Sequence, residues 1–132
     1  MSAAIPPQFL DLFEKRAFGH LATIMPDGSP HVSPVWLDYD GRFILVNSTK
    51  GNQKDHNMRR DGHVAIEVQD PDNPYRYMLV RGLVIEICEE GAMDQIDRLS
   101  MKYHGVPYQG KDPNRVRVIY KVEPLKVATS RR

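Results

Sequence analysis

The segment Phe18–Asn47, which reads FGHLATIMPDGSPHVSPVWLDYDGRFILVN, gives the strongest indication of the fold. Two Asp-Gly pairs, Asp27-Gly28 and Asp40-Gly41, interrupt it. Asp-Gly favours tight turns because glycine adopts positive φ without steric cost. The three runs around these turns are apolar or alternate between apolar and polar residues, which is typical of strands. The stretch therefore predicts three neighbouring antiparallel strands.

The same patterns, followed outward, predict one mainly β domain over residues 1–132. Six strands are expected, at 18–24, 30–37, 43–47, 63–68, 75–87 and 115–122, the last ending before Pro124. Gly82 predicts a bend or bulge in the fifth strand. Short helices are expected near 9–17, 51–60 and 92–103. Closely spaced strands joined by tight turns favour an antiparallel barrel, because closure removes exposed edges.

The overall charge and the lack of long apolar runs limit the function classes. Eighteen Lys and Arg residues oppose seventeen Asp and Glu residues, a net charge of +1, so no global field favours nucleic acid or anionic membranes. No run approaches the roughly 18 apolar residues of a membrane span, and the first residues lack the basic region of a signal peptide. We therefore expect a cytoplasmic protein that binds neither nucleic acid nor membrane.

Cysteine and histidine usage argues against disulfides and metals. Cys88 is the single cysteine, which excludes an intrachain disulfide or a cysteine-based zinc site. The five histidines show no His-x-x-x-His spacing with a carboxylate, so we predict no metal site. No order of nucleophile, histidine and acid is evident, and we assign no catalytic residue.

The most informative polar segment is Asn47–Asn57, which leaves an apolar strand and enters a polar helix. It lies within residues 42–60, where five basic residues oppose one acid. Helix N-termini accept phosphate because their N–H groups are unpaired and the dipole is positive there. A capped, solvated helix is the alternative interpretation. The candidate phosphate ligands are Asn47, Ser48, Thr49, Lys50, Gln53, Lys54 and Asn57.

A second candidate segment is Pro30–Trp36. Pro34 cannot donate a ladder hydrogen bond, so it marks a strand edge or a break that frees backbone groups for a ligand. The apolar side chains around it offer flat surface, although Trp36 could equally fill the core. Histidine can exchange protons near neutral pH, but the sequence indicates no partner for His31.

Together these pieces resemble the pyridoxamine 5′-phosphate oxidase-like superfamily, and most of all the branch that uses the deazaflavin coenzyme F420. The resemblance runs from about Phe18 to Val122. It implies a split β-barrel homodimer with a coenzyme in each of two clefts at the subunit interface. The motifs that carry it, in order, are Leu21-Ala22-Thr23, Pro26–Trp36, Lys50-Gly51-Asn52-Gln53-Lys54-x-x-Asn57, Asn73–Tyr77 and Arg81-Gly82.

The resemblance also implies roles for individual residues. The partner subunit closes the cleft, and Tyr77 and Arg81 are the candidates for that contribution. Relatives hold the coenzyme's phosphate with the segment that matches Ser48, Thr49, Lys50, Gln53 and Lys54. They lay the tricyclic ring against the segment that matches His31, Val32, Ser33, Pro34, Val35 and Trp36.

Two departures from the family pattern matter for function. Many relatives have arginine where this chain has Asn52, which removes one phosphate partner. Residues 126–132 lack the arginine-containing substrate motif of true pyridoxamine phosphate oxidases, so we do not expect synthesis of pyridoxal phosphate.

Three functions stay open on the sequence. The leading hypothesis is an F420-dependent oxidoreductase that moves a hydride between deazaflavin and a small organic substrate. An FMN-dependent oxidoreductase on the same fold is the first alternative, and a non-catalytic flavin or tetrapyrrole binder is the second. In either enzyme the coenzyme carries the chemistry, which explains why no catalytic dyad is visible.

Overall fold

The computed structural model describes residues 2–131 as a curled antiparallel sheet with three short helices. Met1 and Arg132, the two ends of the predicted domain of residues 1–132, lie outside the described residues. The mainly β split-barrel architecture is confirmed. The strands are β1 Gly19–Ile24, β2 Pro30–Val35, β3 Leu37–Tyr39, β4 Ile44–Thr49, β5 His63–Asp70, β6 Asn73–Cys88 and β7 Arg117–Thr129. A 3-10 helix spans Pro7–Phe13, α1 spans Gln53–Arg60 and α2 spans Ala92–His104.

The predicted count of six strands is wrong, because the run expected at 30–37 forms two strands. β2 ends at Val35 and β3 begins at Leu37, with Trp36 alone between them. The sheet order is β2-β1-β5-β6-β7-β4-β3, so these consecutive strands occupy opposite edges. Because a single residue joins the two edges, the sheet curls round and the barrel is split at Trp36.

Close packing explains why the chain changes edges at this point. Leu37 pairs with Val46 of β4 and is fully buried. A Cβ on Gly19 of β1 would lie 2.6 Å from the Leu37 Cδ1 atom, closer than side chains tolerate. Glycine at position 19 therefore makes room for the first residue of β3.

The predicted end of the last strand, before Pro124, is also wrong. β7 continues to Thr129, because Pro124 pairs with Gly82 where the β6–β7 register shifts. Proline is accepted at such irregularities because the regular ladder of N–H donors is interrupted there. The bend predicted at Gly82 is confirmed, and a Cβ there would lie 2.8 Å from the Glu123 carbonyl oxygen.

The three helices pack on different parts of the sheet. α1 contacts β1, whereas α2 contacts β7 and β4. The N-terminal helix, expected to continue to Ala17, is a 3-10 helix that ends at Phe13. Its buried Phe9 and Leu12 are three residues apart, which is the repeat of a 3-10 helix.

A second, smaller hydrophobic cluster lies beside the split. Ile96, Leu99 and Tyr103 of α2 form it, with Trp36 and Tyr108 packed against them. The aromatic residue that joins the sheet edges is therefore held by α2 and by the loop that follows it.

Candidate functional site

A cleft of about 290 Å³ opens where the barrel is split. Its wall combines the β2–β3 break, the end of β4 and the starts of α1 and β7. The structure thus brings the two candidate segments of the sequence to one place. The lining residues are Phe18, Pro34, Val35, Trp36, Asn47, Ser48, Thr49, Asn52, Lys54, Ile96, Tyr108 and Arg117.

Polar side chains hold the start of α1 in place. Asn52 is the N-cap: its side chain accepts a hydrogen bond from the Asp55 N–H at 2.9 Å and donates to Ser48 Oγ at 2.8 Å. The buried Asp55 carboxylate accepts from the Gly51 N–H at 2.8 Å and from the Tyr120 hydroxyl. Burial would raise the pKa of Asp55, but these hydrogen bonds, led by that of Tyr120, lower it. Asn52 therefore lines the cleft as a neutral side chain held in place by two hydrogen bonds.

Lys54 is the residue of α1 whose cation lines the cleft. Its Nζ donates to Ser33 Oγ at 3.1 Å, which connects α1 with β2. Within residues 2–131 no carboxylate lies within ion-pair distance of this nitrogen. Burial lowers the pKa of Lys54, and the nearby Arg117 guanidinium lowers it further. A partly buried cation without an acid is a ready partner for an anionic ligand.

Aromatic rings form the apolar side of the cleft. Trp36 stacks on Tyr103, with ring centroids 5.2 Å apart and planes 8° apart, and meets Tyr108 edge-on at 6.3 Å. The Tyr103 hydroxyl donates to the Ala17 carbonyl at 2.7 Å and accepts from the Leu37 N–H at 3.1 Å. Trp36 therefore fills both roles considered for it, packing with a core cluster and lining the cleft.

Sequence reasoning missed several cleft residues, of which Arg117 is the most consequential. Arg117 begins β7 and pairs in register with Thr49 of β4. The strand around it was predicted, but its neighbour across the sheet is 68 residues away along the chain. No local pattern reports such a pairing. The lining residues absent from the predicted site are Phe18, Asn52, Ile96, Tyr108 and Arg117.

Most of the predicted site residues lie at the cleft or next to it. Ser33 does not line the cleft itself, but its hydroxyl accepts a hydrogen bond from Lys54, which does. Gln53 donates to Asn57 Oδ1 at 2.9 Å, and Asn57 donates to Thr23 Oγ1 at 3.0 Å. Those two side chains therefore fasten α1 to β1. The predicted residues that line the cleft are Pro34, Val35, Trp36, Asn47, Ser48, Thr49 and Lys54.

Other predicted residues do not line the cleft within one chain. His31 of β2 lies opposite Thr23 of β1. The His31 Nδ1 atom is buried and has no hydrogen-bond partner in the described part of the chain. Val32 is 65% exposed. Lys50 pairs with Glu89 at 3.1 Å. These three side chains would need a ligand that extends beyond the cleft, or a second chain, to share one site.

Tyr77 and Arg81 occupy exposed positions of β6. Arg81 borders two mainly apolar hollows of about 420 and 410 Å³, whose walls include Ala22 and Ala65. Tyr77 borders a third hollow beside Arg131. A single chain therefore does not bring Tyr77 and Arg81 to the cleft.

Two other features are absent from the part of the chain that the structure describes. None of the helices formed by residues 2–131 combines the length and apolar character needed to cross a bilayer. Over the same range, no three His, Cys, Asp or Glu side chains are grouped so that they could hold a metal ion.

The chain matches known proteins over almost its whole length. A family model described as pyridoxamine 5′-phosphate oxidase matches residues 5–131. A solved F420 reductase is 36% identical, with a TM-score of 0.85, and the match covers 94% of this chain and 98% of that one. A conserved hypothetical protein from Mycobacterium tuberculosis is 26% identical, with a TM-score of 0.74 and coverages of 98% and 86%. General stress protein 26 from Bacillus anthracis shares the fold at 18% identity, with a TM-score of 0.71 and coverages of 93% and 91%.

The family match includes every strand of the sheet and all of the residues that line the cleft. The split barrel and the ordered motifs predicted from the sequence point the same way. The chain therefore belongs to the pyridoxamine 5′-phosphate oxidase family, whose fold is the flavin-binding split barrel.

Proposed function

We propose that the protein is an F420-dependent oxidoreductase that moves a hydride between the deazaflavin and a small organic substrate. The observation that carries the proposal is Lys54, a partly buried cation without an acidic partner that faces a cleft beside Trp36. The 36% identity to an F420 reductase favours F420 over FMN, which is the alternative coenzyme on this fold.

The cleft fits the phosphate end of either coenzyme. Ser48 and Thr49 supply hydroxyl groups and Lys54 supplies a cation, while Trp36 offers an aromatic surface on the other side. A bound coenzyme would supply the hydride chemistry. The protein's own residues would bind the phosphate, orient the ring and exclude water.

The size of the cleft supports a homodimer as the binding unit. Ligand pockets enclose roughly 300–1,000 Å³, and the cleft, at about 290 Å³, falls just below that range. We propose that a second copy completes it and contributes Tyr77 and Arg81. Exposed apolar side chains on β2 and β6, Val32 at 65% and Leu79 at 44%, suit such a contact.

Lys102 is a partly buried lysine with a structural role, and its hydrogen-bond partners can be compared with those of Lys54. Burial lowers its pKa, as it does for Lys54. However, the Lys102 Nζ donates to the carbonyl oxygens of Phe13 and Leu37, at 2.6 Å each. Lys54 has one hydroxyl partner and a cationic neighbour, so its position is explained better by a ligand than by the fold.

The proposal is tested by titrating the purified protein with F420 and FMN side by side and following coenzyme fluorescence. We expect tighter binding of F420, and Lys54→Met should weaken it about 10- to 100-fold, the effect of losing a charge-assisted hydrogen bond. Lys111→Met is the comparison variant, and its effect should be under threefold because Lys111 is exposed, paired with Asp97 at 3.2 Å and not among the residues that line the cleft.

The outcomes separate the alternatives. Tighter binding of FMN, or a yellow protein that releases FMN on denaturation, would support the FMN-dependent enzyme. Binding without turnover over a panel of organic acceptors would indicate a carrier. Failure of the wild-type protein to bind either coenzyme would refute the proposal. A cytoplasmic location and the absence of nucleic-acid partners stay predictions from the sequence.

A further inference from the structure

Arg117 presents a second cation to the cleft, and its contacts within the chain are to neutral groups. Its Nε donates to Asn47 Oδ1 at 2.8 Å, and its Nη1 donates to Thr49 Oγ1 at 2.9 Å. The guanidinium also lies over the Tyr108 ring, 5.3 Å from the centroid. No carboxylate of residues 2–131 forms an ion pair with it.

The surroundings of Arg117 disfavour an isolated positive charge. Burial lowers the pKa of its guanidinium, and its repulsion contributes to the lowered pKa of Lys54. Two partly buried cations that repel each other are costly in the folded protein unless an anion joins them. The wall between them is neutral, because Asn52, Ser48 and Thr49 carry no charge.

The guanidinium is also held in a fixed orientation. Asn47, which accepts from Arg117, donates through Nδ2 to the Ala92 carbonyl at 2.8 Å and to Gln95 Oε1 at 3.0 Å. Arg117 is therefore connected through Asn47 to the first turns of α2. Two of its five N–H groups are used in this way, and the other three stay available in a planar fork that matches phosphate oxygens.

We propose that Arg117 is a second anion-binding residue of the cleft, and that Arg117 and Lys54 together bind the phosphoryl group of the coenzyme. The assignment rests on the proposed function, since it takes the coenzyme to be the ligand of the cleft. In this arrangement the arginine comes from β7. The N-cap position of α1, where many relatives have arginine, holds the neutral Asn52. Asn47 acts as a positioning residue that aligns the guanidinium.

The test compares coenzymes with and without phosphate. The three proteins are wild type, Arg117→Met and Arg117→Lys. Each is titrated with two phosphorylated coenzymes, F420 and FMN, and with two phosphate-free counterparts, the deazaflavin alcohol for F420 and riboflavin for FMN. Arg117→Met should weaken binding of the phosphorylated coenzymes about 10- to 100-fold and change binding of the phosphate-free ones less than twofold. Arg117→Lys keeps the charge but not the fork and should give an intermediate loss.

Arg115→Met is the matched control, because Arg115 is exposed and paired with Asp112 at 3.7 Å. It should leave all four affinities unchanged. Equal losses for phosphorylated and phosphate-free ligands in Arg117→Met would overturn the inference, as they would show a general disturbance of the cleft. Unchanged F420 and FMN affinity in Arg117→Met, with the loss in Lys54→Met retained, would overturn it and leave the proposed function standing. Absence of coenzyme binding by the wild type would reject both.

Discussion

Two pairs of cations in this protein have opposite surroundings. The first pair belongs to the paired cluster, which consists of Asp11, Lys15, Asp70 and Arg76. Each of its cations forms an ion pair with a carboxylate: Arg76 with Asp70 at 2.8 Å and Asp11 at 2.7 Å, and Lys15 with Asp70 at 3.0 Å. In the cleft pair, Lys54 and Arg117, hydroxyl and amide oxygens are the partners.

The difference indicates what each group does. The paired cluster joins the N-terminal 3-10 helix to the β5–β6 turn, and its Asp70 is only 4% exposed. Its charges are balanced within the chain, so its role is structural. The cleft pair is unbalanced in the chain alone, which is the arrangement expected for residues that await an anionic ligand.

The largest effect is expected from breaking the paired cluster. Arg76→Met should lower the free energy of unfolding by about 3 kcal/mol, because it removes one partner of a buried acid and leaves Lys15 as its remaining cation. Denaturant titration measures the change. Arg115→Met, the same substitution at an exposed pair, should cost less than about 0.5 kcal/mol. A similar small loss in Arg76→Met would show that the paired cluster is not structural.

A smaller effect is expected on acidification. Burial would raise the pKa of Asp70, but the Asp72 N–H, then Lys15 and Arg76, lower it to about 2. Since this pKa lies below the unfolded value of 3.8, Asp70 stabilises the fold above about pH 4, and that contribution is lost as the pH falls towards about 2. This contribution should amount to at most about 2.5 kcal/mol.

Denaturation at a series of pH values measures this contribution. The pH dependence of Asp70→Asn should be shallower than that of wild type between about pH 4 and 2. Parallel curves for the two proteins would mean that Asp70 is not held ionised by the cluster.

The smallest effect is expected in the cleft pair without ligand. Lys54→Met should change the unfolding free energy of the coenzyme-free protein by no more than about 0.5 kcal/mol, because the lost Ser33 hydrogen bond is offset by relief of desolvation and repulsion. Lys102→Met is the matched control and should cost about 2 kcal/mol, since it leaves two carbonyl oxygens without their donor. Equal losses in both variants would make Lys54 a structural lysine.

The local parts of this site could be predicted from the sequence. Ser48, Thr49 and Lys54 lie within a few residues of one another, and a strand followed by a polar helix is recognisable in a short window. The contact between Lys54 and Ser33 required more, because it joins positions 21 residues apart. The family resemblance implied only that both segments bind one coenzyme, and the contact itself is seen first in the structure.

The remaining parts depend on contacts that no short window contains. The run around Pro34 and Trp36 has the alternation of one strand, yet it divides between two sheet edges because Leu37 packs over Gly19 and pairs with Val46. Likewise, β7 passes Pro124 because Gly82 lies opposite it.

Residues that are neighbours along the chain are enough to infer the strand-rich domain, its tight turns and the polar helix start that carries Lys54. Two features follow only from the three-dimensional fold: the barrel splits at Trp36, and Arg117 lies near Lys54 with no acid to pair either cation. Strand pairing sets those features, and β7 meets β4 across 68 residues of chain between Thr49 and Arg117. A side chain's partner across a sheet follows from register, which the whole fold determines.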